Sequence, residues 1–275
     1  MDVSVRSETM NTTEDKLKAF ERLLGIMDEL RSKCPWDMKQ TMQSLSHLTI
    51  EEVYELSDSI LENKTAEIKK ELGDILLHIV FYAKIASEKN DFDIADVINS
   101  LCEKLIHRHP HIYGSIDNNG GLVQVSGEEE VSRNWEKLKL KEGKTSVLEG
   151  VPVSLPAMIK SMRIQEKAKA SGFDWEKKEQ VWDKVREELA ELKQGIDNQD
   201  AEETTHEFGD LLFSLINFAR FLNVNPEEAL ERTNKKFIRR FKYLEKSAAE
   251  KNIQLSEMTL DEMDVYWNEA KRKGL

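Results

Sequence analysis

Hydrophobic residues recur along this chain at helical spacing. Leu17, Phe20, Leu23, Leu24, Met27 and Leu30 stand three or four positions apart and form one stripe, as in a helix with a single buried face. Longer and more apolar runs, Ile68 to Ser87 and Glu203 to Leu222, predict the central helices of a bundle. Asn63 and Asn198 fall where a turn should separate each long helix from the one before it. No alternating segment of useful length occurs. The pattern therefore predicts an all-α fold built on four-helix-bundle packing.

Glycine and proline mark the organisation because they are scarce. Six of the twelve glycines lie between Gly114 and Gly150, and Pro152 and Pro156 follow at once. This predicts a loop-rich connection between two helical halves, with a first repeat over 14–141, a linker over 142–156 and a second repeat over 157–275. Within the first, Glu128 to Lys141 reads as a short helix carrying Trp135.

Composition narrows the class. The 275 residues are 39% hydrophobic and 33% charged, enough to bury a core and too well mixed in charge for disorder. No run of about 18 apolar residues is present, so no membrane partner is expected. Met1 to Thr13 is polar and lacks the apolar core of a secretory signal. Two cysteines, Cys34 and Cys102, without C-x-x-C spacing, suit a reducing cytoplasm and are expected to be buried thiols. A net charge of −12 argues against nucleic-acid binding, which needs a basic face. It is compatible with a small polyanion bridged to carboxylates by cations.

The two halves share a carboxylate pattern. Glu52-x-x-Glu55 is followed by Glu71-x-x-Asp74, and Glu188-x-x-Glu191 by Glu207-x-x-Asp210, with sixteen residues from second to third acid in both. Spacing i, i+3 puts each pair on one helix face, and two antiparallel helices can aim four carboxylates at one point. Asp74 and Asp210 run directly into apolar sequence, where unpaired carboxylates lose hydration and repel each other unless a cation compensates. An oxygen-only donor set suits Mg²⁺, with Mn²⁺ as substitute, rather than zinc. Gly73 and Gly209, inside the later pairs, cost a helix roughly 1 kcal/mol each relative to alanine, which close approach of a neighbouring helix or a ligand would explain. Solvated E-x-x-E faces are common in acidic chains, but a duplicated spacing beside an apolar helix is harder to attribute to that.

The repetition extends to cations and an indole. Lys104-x-x-x-Arg108 matches Lys236-x-x-x-Arg240, and Trp135 and Trp267 each follow the arginine by 27 residues. A Lys/Arg pair at i, i+4 makes a phosphate clamp, and an indole can stack on a base, although surface pairs and core tryptophans are individually commoner. His107 to His111 is interrupted by Pro110 and reads as a helix end rather than a zinc site. Glu203-x-x-His206 matches half of a di-iron signature, and its counterpart Glu67 to Lys70 has no histidine. No P-loop, G-x-S-x-G or Rossmann glycine pattern is present.

Cys34-Pro35-Trp36-Asp37, the acid pairs and Arg108-His109-Pro110-His111 resemble the first repeat of the MazG nucleoside triphosphate pyrophosphohydrolases. Ser146 to Pro156 and Gly172-Phe173-Asp174-Trp175 resemble that family's passage into its second repeat, so the likeness runs from about residue 17 to the C-terminus. It implies a homodimer of all-α bundles that hydrolyses nucleoside triphosphates between the α- and β-phosphates. It implies that Glu188, Glu191, Glu207 and Asp210 hold Mg²⁺, and that Lys184, Lys236, Arg240 and Trp267 contact the nucleotide. Lys184 precedes Glu188 by one turn, whereas Leu48 precedes Glu52, which favours the second repeat as the active one. Glu191 and Glu207 are the acids assigned to the chemistry, Glu191 as acceptor of the water's proton. The rival readings are a non-catalytic helical nucleotide-binding or stress-regulatory scaffold, and a di-iron oxidase.

Overall fold

The computed structural model describes residues 11–114 and 146–275, with Gly127, Glu130, Val131 and Asn134 between them. Among the described residues every regular element is a helix. The first half comprises α1 (Thr13–Lys33), a 3-10 turn (Asp37–Lys39), α2 (Met42–Leu61), α3 (Thr65–Ser87), α4 (Ile94–Arg108) and the short α5 (Pro110–Tyr113). The second comprises α6 (Ala157–Ala170), α7 (Lys178–Asp197), α8 (Ala201–Phe221), α9 (Pro226–Glu250), a 3-10 turn (Leu255–Glu257) and α10 (Leu260–Arg272). The chain separates into two compact units, Met1–Gln124 and Val125–Leu275. The segment 128–141 with Trp135 lies outside the described residues, apart from Glu130, Val131 and Asn134, which are helical.

The sequence starts these helices with side-chain caps. Thr12, Thr41 and Asp93 open α1, α2 and α4 with reciprocal capping boxes. Asp200, Asn225 and Thr259 cap α8, α9 and α10. Each cap satisfies otherwise orphaned backbone donors and is worth about 1 kcal/mol. The hairpin turns need a left-handed residue. Asn63 supplies it between α2 and α3 with φ 53°, and between α7 and α8 it is Gln199, φ 57°, rather than the neighbouring Asn198.

Each unit is organised on a helix hairpin, α2–α3 in the first and α7–α8 in the second. The first core gathers Met27 of α1, Leu45 of α2 and Val80, Phe81 and Ile85 of α3, with Phe20, Leu23 and Leu48 packed around them. Leu17, at the start of the α1 stripe, is exposed. In the second unit α7 buries Val181, Val185, Glu188, Leu192 and Gly195 along one face. At Gly195 α7 and α8 approach closely: a Cβ there would come within 3.2 Å of the Thr204 backbone nitrogen. Gly73 and Gly209 behave differently from the helix-contact expectation, since a Cβ at either would meet nothing within 4 Å. Cys34 is half-buried and Cys102 exposed, so the expectation of two buried thiols fails for Cys102, which α4 turns outward.

The residues from Ser146 lie on the second unit. Buried Lys167 donates to the Val147 carbonyl at 3.1 Å, and Leu148 walls a cavity of about 470 Å³ together with Phe173, Trp175 and Phe213. At its edge Arg220 grips the Asp174 carboxylate with two guanidinium nitrogens.

Candidate metal centre

In the second unit, i, i+3 spacing on α7 and α8 converges as the sequence predicts, with one distinction. Glu188, Glu207 and Asp210 each offer an oxygen within 4.8 Å of the others, while Glu191 stands outside that group. Glu188 is buried because it shares the face of Val181, Val185 and Leu192; Glu207 is half-buried and Asp210 exposed. The Glu188 carboxylate accepts from the Lys184 ammonium, 2.6 Å away across one helical turn, and Lys184 also donates to Glu187 at 2.7 Å. These two acids hold the Lys184 proton more tightly than a free lysine's. Partial desolvation pushes the Glu191 carboxyl up, Glu188 and Glu207 push it further, and Lys184 opposes them.

The first unit repeats the centre with altered wiring. Glu52, Glu55 and Glu71 form the close group, and Asp74 stands outside it. Here the buried acid is the third of the four, Glu71, only 3% exposed, and its Oε2 has no hydrogen-bond partner. Partial burial raises the Glu52 carboxyl, helped by Asp74, Glu55 and Glu71. Glu71 shares its face of α3 with buried His78. The His78 Nδ1 and the Tyr82 hydroxyl both meet the Thr49 hydroxyl, at 2.7 and 2.6 Å. The sequence reading missed this group and Lys70, which stands beside Glu71; the signal for His78 was its position one turn after Asp74. The second unit has Val185, Ser214 and Phe218 at the corresponding places.

In the first unit the orphaned, buried Glu71 oxygen beside Glu52 and Glu55 fits a hard divalent cation, and in both units the donor set is oxygen throughout. In the second unit Glu188, Glu207 and Asp210 could hold such a cation, with Glu191 at the margin.

The cationic residues of α9 are gathered elsewhere. Arg240 lies over the Trp267 ring at 5.8 Å and donates through Nε to the Leu275 carbonyl at 2.7 Å, and Phe237 packs on Trp267 at 5.0 Å. Lys236 precedes Arg240 by one turn. Among the described residues no hydrogen bond or ion pair joins Lys236, Arg240 or Trp267 to the acids of α7 and α8. In the first unit Lys104 and Arg108 lie in the last turns of α4, and His109 to Tyr113 form its cap and the whole of α5, the helix end read from the sequence.

Two tandem helical units, each carrying a duplicated E-x-x-E/E-x-x-D constellation on a hairpin, define an all-α repeat protein with paired carboxylate centres. The MazG nucleotide pyrophosphohydrolase domain matches twice, over residues 40–113 and 176–244, one match on each hairpin. The chain belongs to the MazG family. It is 44% identical over 257 residues to the nucleoside triphosphate pyrophosphohydrolase/pyrophosphatase MazG of Thermotoga maritima, covering 92% of this chain and 95% of that protein. It is 35% identical over 270 residues to the nucleoside triphosphate pyrophosphohydrolase of Escherichia coli K12, covering 94% and 99%. The uncharacterized protein YabN of Bacillus subtilis is 44% identical over 266 residues, 94% of this chain and 53% of that protein.

Proposed function

We propose that the chain is a Mg²⁺-dependent nucleoside triphosphate pyrophosphohydrolase acting through its second repeat. Water adds across the α,β-anhydride, so that NTP and H₂O give a nucleoside monophosphate and pyrophosphate. The observation that carries this reading is the convergence of Glu188, Glu207 and Asp210 on one point beside the Lys184 ammonium. Family membership and the similarity to two named pyrophosphohydrolases over nearly their full lengths support the activity.

Mg²⁺, when bound, supplies neutralisation of phosphate charge and acidification of a water. The protein's part is to hold three carboxylates together at an energetic cost that the cation offsets. Lys184 is anchored by Glu187 as well as Glu188, so it can turn toward a phosphate without leaving the cluster's edge. Glu191 stands outside the close group with its proton affinity raised, which suits a proton acceptor better than a ligand. Lys236 and Arg240 would clamp phosphates, and Trp267, already stacked beneath Arg240, would take the base. Oxygen-only clusters give no support to a di-iron oxidase.

The same reading makes the chain a homodimer. On α8, Phe208, Leu212 and Leu215 are exposed at i, i+4 and i+7, and on α3 Leu72, Leu76 and Ile79 repeat that row 136 positions earlier. Solitary folded chains seldom leave such rows open to water. The open space at Gly73 and Gly209, beside these rows, is room for a second copy or for substrate. We place the enzyme in the cytoplasm, where exposed Cys102 stays reduced.

Glu207→Gln keeps the side chain's size and removes its charge. Turnover of NTPs with Mg²⁺ should fall at least about a hundredfold while the helical circular dichroism is retained. Wild-type turnover in this variant would remove Glu207 from the chemistry.

A further inference from the structure

The two carboxylate centres differ in where their internal cation sits. In the second unit Lys184 reaches the cluster from its edge: of its two partners, Glu188 belongs to the four-acid set and Glu187 lies outside it, more than half exposed. In the first unit the position matching Lys184 is Leu48, which packs into the core. The cation comes instead from α3. The Lys70 Nζ lies 3.1 Å from Glu71 Oε1 and 3.9 Å from Asp74 Oδ2, so both of its partners are members of the set. Its field reaches Glu55 and Glu52 as well, and thus all four acids feel this one ammonium. The matching residue in the second repeat is His206, an imidazole on an exposed position.

We infer that Lys70 is a built-in counter-ion of the first centre, paired with Glu71 and Asp74 at its edge and competing with a divalent cation for the carboxylates. This inference rests on the reading of the carboxylates as metal ligands. Glu71 supplies the independent sign of a ligand site, since it is 97% buried by its 3% exposure and one of its oxygens is unpartnered even with Lys70 in place. A single ammonium satisfies one side of that carboxylate and leaves demand for a second positive contact. Lys70 itself is 62% exposed on a flexible stem, so it can swing out when a divalent ion enters. Displacing it costs the entering ion an ion pair, and a remaining ammonium about 4 Å away would repel a dication by an amount equal to roughly tenfold or more in affinity. The first centre therefore loads only at a higher divalent concentration than its four acids would need without Lys70.

The test is Mn²⁺ titration of the full chain, with free Mn²⁺ read by electron paramagnetic resonance and no nucleotide present. Wild type is compared with Glu207→Gln/Asp210→Asn, which silences the second centre, and with Lys70→Ala or Lys70→His added to that background. The expected result is strong binding in wild type, weak binding in the background, and at least tenfold tighter binding once Lys70 is replaced. That gain should vanish when Glu71→Gln is added, and Mn²⁺ should raise the melting temperature of the Lys70 variants more than that of their background. Unchanged or weaker Mn²⁺ binding in both Lys70 variants overturns the inference while leaving the second centre's metal reading intact. Equal Mn²⁺ binding in wild type and background overturns that metal reading instead. Absence of Mn²⁺ binding in every variant overturns both.

Discussion

At the scale of single residues the chain concentrates its unfavourable electrostatics in two places. Glu52 and Glu191 both hold protons more strongly than a free glutamate, first through desolvation and then through neighbouring acids. A carboxyl whose folded pKa is raised favours the folded state at low pH, and that advantage is lost as pH rises through the raised value. A divalent cation needs the deprotonated form, so the signs combine simply. Mn²⁺ affinity should rise as pH increases from about 5 to 7.5, through the region above the ordinary glutamate value. Affinity flat across that range would show that neither Glu52, within its close group, nor Glu191, at the margin of the other, is coupled to metal binding. Glu88 and Asp174 carry the opposite sign. Glu88 is held low by the Arg31 hydrogen bonds; burial pushes Asp174 up, but the double contact with Arg220 outweighs it. Their stabilisation is present above the unfolded values near 4 and is lost as pH falls through the lowered folded values.

Much of this level was legible beforehand, because E-x-x-E and E-x-x-D spacing fixes which side chains share a helix face. What stayed hidden was the choice of buried acid. Glu188 is buried by its own α7 stripe and Glu71 by the face it shares with His78, a difference of packing that identical spacing does not encode. From the sequence Lys70 shows only the absence of a histidine, since an ion pair with the adjacent Glu71 depends on side-chain direction.

Among the elements, the hairpins were the most readable feature and their turns the least. Asn63 occupies the left-handed position as a turn asparagine should, but in the second hairpin that position falls to Gln199, one residue past Asn198. Glutamine pays a backbone cost there that glycine avoids. Gln199→Gly should stabilise the fold by up to about 1 kcal/mol in urea denaturation, and destabilisation would show that the side chain contributes a compensating contact. The core behaves conventionally. Leu45 is 1% exposed among Met27, Val80 and Phe81, so Leu45→Ala should cost about 2–5 kcal/mol by chemical denaturation. A cost below about 1 kcal/mol would mean that the first unit's core lies elsewhere.

For the molecule as a whole, the apolar rows are the main feature that sequence periodicity concealed. Phe208, Leu212 and Leu215 have the spacing of core residues, yet in the single chain they face outward, and the first unit duplicates the arrangement. Periodicity says that a face is apolar without saying which chain covers it. Leu212→Glu/Leu215→Glu should convert a particle of twice 31.8 kDa into a single chain in light scattering. A wild-type protein already monomeric at micromolar concentration would rule the dimer out. No helix among the described residues is long and apolar enough to cross a membrane.

Hydrolysis of nucleoside triphosphates at the α,β-anhydride by the second repeat has a distinct product signature. Phosphorus NMR of mixed NTPs and dNTPs with Mg²⁺, using wild type, Glu207→Gln and Glu71→Gln, tests it most directly. Monophosphate and pyrophosphate are expected from wild type and Glu71→Gln, and intact triphosphates with Glu207→Gln. Diphosphate and orthophosphate as products, or turnover that survives Glu207→Gln and disappears with Glu71→Gln, would contradict it.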